Sequence, residues 1–160
     1  WTVTAGGAFI IGKDENAPYI YSAYPGTIVD GGINDANNMG AAMAPAVIHT
    51  LTNYFKISNT SPGDYDAIFT GDLGYEGYCI VKDLMEKEGY IMGEGYRDCG
   101  LIIYDRISQQ MNSGGSGCGC SASVLSAYIL PRIESVLYFI ILLHIIMRKI
   151  SKKFDLLIFL

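Results

Sequence analysis

Three observations predict that this sequence folds as a layered α/β sheet. Apolar runs of strand length alternate with longer stretches of helical period. Half of the residues are hydrophobic and 17 % are charged, a balance that can bury a core and excludes a disordered chain. All 19 glycines lie between Gly6 and Gly119, at the joints between those segments. At 160 residues the chain has the length of one ordinary domain. Its net charge of −5 sets it against a nucleic-acid partner, whose phosphates it would repel.

The elements follow in order. Trp1 to Gly12 is rich in Thr, Val, Phe and Ile around a small-residue centre at Ala5, Gly6, Gly7 and Ala8. That pattern predicts a buried strand that another backbone approaches closely. No charged leader with an apolar run and a cleavage site is seen, and the first residue is not Met, so no secretory signal is expected. Ala17 to Tyr24 reads as a second strand, opened by Pro18, closed by Pro25-Gly26, and paired with or adjacent to the first. Asp30 to Pro45 is a run of small and amide residues without a period, which predicts a loop, with Pro45 in the first turn of a helix. Val47, Ile48, Leu51, Tyr54 and Phe55 then fall on one helical face that must pack on a sheet. Asp66 to Thr70 lies between turn signals and reads as a central strand buried on both faces. Tyr78, Val81 and Met85 form the stripe of the next helix, and Gly89 stands where its C-terminal cap belongs. Leu101 to Tyr104 is expected to be a strand. Asn112 to Cys120 is a glycine-rich loop, and Ser121 to Ile133 is a helix with Val124, Leu125, Tyr128 and Ile129 at helical spacing.

Composition breaks near Ser135. Residues 1–135 carry −8, whereas residues 136–160 carry +3 and contain no Gly, Ala or Pro. The reading is a domain over 1–135 and an apolar, basic tail over 136–160. Val136 to Met147 includes His144 and falls short of the roughly 20 apolar residues a helical span needs. Arg148, Lys149, Lys152 and Lys153 suit an anionic membrane surface, so peripheral membrane association is one reading of the tail. A frameshifted or truncated product is the other, because out-of-frame AT-rich coding sequence has this composition.

The most distinctive string is Gly114-Gly115-Ser116-Gly117-Cys118-Gly119-Cys120-Ser121-Ala122. Its backbone N–H groups at a helix start can hold a carboxylate, or its glycines can simply let a neighbouring backbone pass. It lacks the lysine of a phosphate loop and the acid of a dinucleotide fingerprint, so no cofactor is expected. Cys118-x-Cys120 alone does not make a zinc site. Cys79, Cys99, Cys118 and Cys120 read as reduced thiols in a cytosol-like compartment. His49 and His144 are the only candidate imidazole bases, and both read as structural. Asp72 ends a buried strand, where α/β sheets place their sites, and reads either as a ligand contact or as a helix N-cap. Asn37 and Asn38 read as loop-holding residues. The candidate ligand-binding set is thus Asp72, Gly115, Ser116, Gly117, Cys118, Gly119 and Cys120, with no metal ligand and no catalytic residue.

Four strings in order, Trp1-Thr2-Val3-Thr4, residues 35–46 (DANNMGAAMAPA), residues 64–74 (DYDAIFTGDLG) and residues 114–122 (GGSGCGCSA), resemble the stage V sporulation protein AD family. The resemblance runs from Trp1 to about Glu134. It implies a thiolase-like fold related to ketoacyl synthase III, built from two similar halves, with this chain supplying the end of the first half and most of the second. The nucleophilic cysteine of the superfamily and most of the ligand pocket would then lie in the first half. The resemblance further implies binding of dipicolinic acid (pyridine-2,6-dicarboxylate), free or as its calcium salt, and its uptake into the developing spore. The implied partners are the other proteins of the stage V sporulation A membrane channel, and the implied place is the forespore, on the cytoplasmic side of the inner spore membrane. Where condensing enzymes carry His-Gln-Ala-Asn this chain reads Gly71-Asp72-Leu73-Gly74, and where they carry a Gly-Asn-Thr-Ser turn the matching loop reads Ser116-Gly117-Cys118-Gly119-Cys120-Ser121. Without that His and Asn no acyl transfer is expected, although an acyltransferase remains the alternative activity.

Overall fold

The computed structural model describes residues 3–13, 19–113, 117–135, 140–143, 145–147 and 153–158. The element order is β1 (Tyr19–Pro25), α1 (Met39–Ser58), β2 (Ala67–Thr70), α2 (Gly74–Lys87), β3 (Tyr96–Asp98), α3 (Cys99–Ile103), α4 (Cys118–Val124), α5 (Leu130–Ser135), β4 (Ile140–Leu143), β5 (Ile145–Met147) and β6 (Lys153–Ile158). Between α4 and α5 the helix widens over Leu125–Ile129 without breaking. The strands form one mixed sheet in the order β1-β6-β5-β4-β2-β3. β2 runs parallel to β3, with Ile68 opposite Tyr96 and Thr70 opposite Asp98, and parallel to β4 on its other side.

Alternation along β2 divides the core into two layers. Ile68 joins Leu51, Phe55, Val81, Met85 and Tyr96 in the cluster made by α1 and α2. Phe69 points the other way, among Cys99, Cys120, Val124, Ile129 and Ile133. The central strand is therefore buried on both faces, as its unbroken apolar run requires. The strands, expected from the sequence to be sandwiched by helices over Ala46 to Phe55 and Tyr75 to Glu88, are not. α1 and α2 lie side by side on one face, and α4 and α5 cover the other, because the apolar stripes of α1 and α2 also face each other. Burying each large side chain of these clusters contributes roughly 1.5–3 kcal/mol.

Gly40 and Gly77 set the contact between α1 and α2. A Cβ built on Gly40 would overlap the Leu73 carbonyl and come within 2.9 Å of the Gly77 nitrogen. The small-residue run expected as a loop is loop only over residues 30–38; its second part is helix, and α1 begins at Met39, six residues before Pro45. Asn38 caps it, its side-chain oxygen accepting the Ala41 N–H at 3.0 Å. The alanines that follow favour helix, and their small size is what close helix packing needs. Pro45 consequently sits inside α1, with a Cβ at Gly31 blocked 2.6 Å from its ring.

Three further expectations are corrected. Residues 3–13 form no strand: they run exposed and irregular, without a ladder partner among the described residues. Their small centre does meet another backbone, since a Cβ on Gly7 would lie 2.9 Å from the Ala122 carbonyl oxygen. β1 accordingly pairs with β6, in parallel, and makes no hairpin with the chain before it. Leu101 to Tyr104 is not a strand either; α3 occupies it, because Asp98 accepts the Gly100 N–H at 3.0 Å and so starts a helix there. The strand lies just ahead, at β3.

The segment read as a separate tail supplies β4, β5 and β6 to the sheet. His144 lies outside the described residues. Among the described residues no helix is long and apolar enough to cross a membrane.

Candidate functional site

The carboxyl ends of β2 and β3, the start of α2 and the start of α4 meet at one place. Asp72 follows β2 directly and is 1 % exposed. Its Oδ2 accepts the backbone N–H of Gly117 at 3.3 Å, which ties the strand end to the glycine-rich loop 45 positions later. Gly117 has φ +52°, a conformation L side chains rarely adopt, so glycine is required at this joint. α4 begins at the next residue, and the Ser121 N–H and hydroxyl both return to the Gly117 carbonyl.

The residue that organises this place is Asp98, which the sequence reading did not single out. One carboxylate oxygen accepts the Thr70 hydroxyl at 2.6 Å and the Leu73 N–H at 3.0 Å. The other accepts the N–H groups of Gly74 at 3.0 Å, Gly100 at 3.0 Å and Leu101 at 3.4 Å. Asp98 therefore caps α2 and α3 together, and the N-cap role open to Asp72 belongs to a residue from the neighbouring strand. Its signal was present as Asp98-Cys99-Gly100 before an apolar run, a helix start that was read as the approach to a strand.

Electrostatics at the site oppose ionisation. Burial pushes the Asp98 carboxyl up to about 7, and the nearby Asp72 adds to the rise, against the hydrogen bonds from Thr70 and Leu73. The Cys99 thiol is raised well above its usual range by burial, then by Asp98, Cys120 and Asp72. Cys120 is raised by burial and by both carboxylates. Tyr104 moves up through burial and the charge of Asp72, and its hydroxyl is enclosed without a hydrogen-bond partner among the described residues. Thiols held protonated in this way are poor nucleophiles.

Of the candidate set, Asp72, Gly117 and Cys120 converge. Cys120 is fully buried on the sheet side of α4, whereas Cys118, two positions earlier, is exposed. Gly119 faces the chain start, where a Cβ would lie 3.2 Å from the Ala5 carbonyl oxygen. Gly115 and Ser116 lie outside the described residues, as does Gly114. All four cysteines are free, and among the described residues no group of three His, Cys, Asp or Glu side chains could hold a metal ion. His49 is exposed on α1, within 3.1 Å of the Thr27 hydroxyl and of the Asn53 amide. Asn38 joins the α1 cap to the loop through the Ser113 hydroxyl at 3.3 Å. Arg97 reaches the Tyr128 hydroxyl, and Arg106 stacks 3.4 Å above the Tyr75 ring.

Comparison with known proteins agrees with this arrangement of motifs. The model of the stage V sporulation protein AD family matches residues 1–145. Stage V sporulation protein AD of Bacillus subtilis (strain 168) is 45 % identical over 133 residues, which are 83 % of this chain and 39 % of that protein. The chain thus spans about two fifths of the curated relative it matches. It belongs to the stage V sporulation protein AD family of sporulation proteins and carries part of the thiolase-like α/β fold of that family.

Proposed function

We propose that the chain serves sporulation without catalysing a reaction, as part of a binder of dipicolinic acid that works with the other proteins of the stage V sporulation A channel to load this dianion into the forespore. The observation that carries the reading is the contact of Asp72 with Gly117. It joins the turn after β2, where condensing enzymes carry His-Gln-Ala-Asn, to the loop that matches their Gly-Asn-Thr-Ser turn, and neither stretch of this chain holds a His or an Asn. Around them the Cys99 and Cys120 thiols are pushed toward their neutral form. Thiols kept neutral are poor nucleophiles, and a carboxylate does not stabilise a thioester oxyanion.

The same charges argue that the dianion's main contacts lie away from Asp72 and Asp98. A ligand with two carboxylates needs cations or N–H groups, and the Gly117 N–H is already given to Asp72. The chain then acts as the framework side of a shared pocket, and peripheral association with the spore membrane follows from its channel partners.

Calorimetric titration of pyridine-2,6-dicarboxylate into the chain alone, and into the chain mixed with a polypeptide supplying the first half of the family fold, tests this. Binding only in the mixture is the expected result. Binding in neither sample, or turnover of acyl-coenzyme A thioesters, refutes it.

A further inference from the structure

The geometry points to a proton-operated latch at the strand ends: Asp72 and Asp98 form a buried carboxyl pair that docks the glycine-rich loop through Gly117 while the pair keeps a proton, and releases it when both members are ionised. Each of the two residues is 1 % exposed. They meet over one backbone position, since a Cβ built on Gly100 would overlap Asp72 Oδ1 and lie 3.0 Å from Asp98 Oδ1. Two enclosed carboxylates this close oppose each other's ionisation, because little water lies near them to screen their charges. The other titratable groups that face the pair are Tyr96 on β3, Cys99 on α3, Tyr104 behind α3 and Cys120 on α4. All four are raised above their usual range, with burial the first cause, so they stay neutral around pH 7 and supply no cation. β2 gives the pair the Thr70 hydroxyl, and the starts of α2 and α3 give it backbone N–H groups.

Anchorage decides which member yields. Asp98 holds five donors, drawn from β2 and from the starts of α2 and α3, and it cannot turn without uncapping both helices. Asp72 meets the loop through its other oxygen, Oδ2, 3.3 Å from the Gly117 nitrogen. A turn of the Asp72 carboxyl away from Gly100 draws Oδ2 off this N–H and loosens the joint from which α4 starts. Burial, with Asp72 adding to it, holds the Asp98 carboxyl up at about 7 in the folded chain. A carboxyl raised on folding contributes its stability below its unfolded value and loses it as pH climbs through the folded one. The loop is therefore docked on the acid side of neutrality and released on the alkaline side. The latch operates without a ligand, so it stands or falls apart from dipicolinate binding.

Amide resonances of the 15N-labelled 160-residue chain, followed from pH 5 to pH 8.5, test the proposal. Gly100 and Leu101 donate to Asp98, whereas Gly117 donates to Asp72, so Gly117 senses the Asp98 proton only through the pair. All three are expected to move along one curve with a midpoint near 7. Between pH 6 and pH 8 the exchange protection of Gly117, corrected for its intrinsic rate, should fall by about tenfold, the change that one unit of coupling between two carboxyls produces. In Asp98→Asn every other titratable group is retained, and both the midpoint at Gly117 and its loss of protection should vanish. Movement of Gly100 and Leu101 without Gly117 would overturn the latch, as would Gly117 protection that holds or grows with pH. A Gly117 curve that survives in Asp98→Asn, or no midpoint at any of the three amides, would overturn it as well.

Discussion

Replacing Asp98 by Asn sets two effects of known sign against each other. An amide cannot accept at both of its heteroatoms. Turned so that its oxygen keeps Gly74, Gly100 and Leu101, its nitrogen faces Thr70 and Leu73. The Thr70 hydroxyl can rotate to accept, but the Leu73 N–H is left opposite another donor, at a cost of about 1–3 kcal/mol. The opposing effect depends on pH. The Asp98 carboxyl titrates at about 7 in the folded chain, against an ordinary value of 3.8. A carboxyl raised on folding contributes its stability below the unfolded value and loses it as pH climbs through the folded one. The wild type therefore weakens between about pH 4 and 7 by an amount that the Asp98→Asn variant does not share, and from pH 5 to pH 8 the difference is roughly 2–3 kcal/mol. Urea unfolding followed by circular dichroism at both pH values measures it, since all other titrations cancel between the two proteins. Asp98→Asn should be clearly destabilising at pH 5 and close to neutral or stabilising at pH 8. A destabilisation that stays constant, or grows with pH, would show that the five donors hold Asp98 ionised throughout and would refute the reasoning.

Two more predictions concern packing and thiol access. Gly40→Val places a branched side chain against the Leu73 carbonyl and the Gly77 backbone, neither of which can yield without separating α1 from α2. It should cost about 2–3 kcal/mol and lower the melting temperature by about 5 °C or more; an unchanged melt would remove the glycine contact from the account. Alkylation by iodoacetamide at pH 8 should reach the exposed Cys118 first, with Cys99 and Cys120 slower by a factor of about ten or more until the chain unfolds. Peptide mapping that finds Cys120 modified as fast as Cys118 would contradict the placement of α4.

Elements with a strong period were legible from the residues. The stripes of α1 and α2 and the doubly buried β2 each follow from an apolar pattern that only one structure satisfies, and Gly89, at φ +88°, ends α2 where a glycine is expected. The errors fall where the pattern is short or absent. Leu101 to Tyr104 is too brief to carry a period, and a capping bond from Asp98 decided it. The run from Asp35 to Ala44 has small side chains and therefore no moment, yet that smallness is what α1 needs to cross α2 at Gly40. The four strings that carry the family are contiguous in the chain, so they too could be read without a fold.

By itself, then, the sequence determined the layered α/β class, the two main helices, the central strand and the family, because each is written in local periodicity or in uninterrupted motif. The tertiary structure decided the site. Asp72 and Gly117 are 45 positions apart and share a hydrogen bond, and Asp98 collects donors from two helices and a strand. The shift of its carboxyl to about 7 comes from burial, a property of what surrounds a residue rather than of what it is.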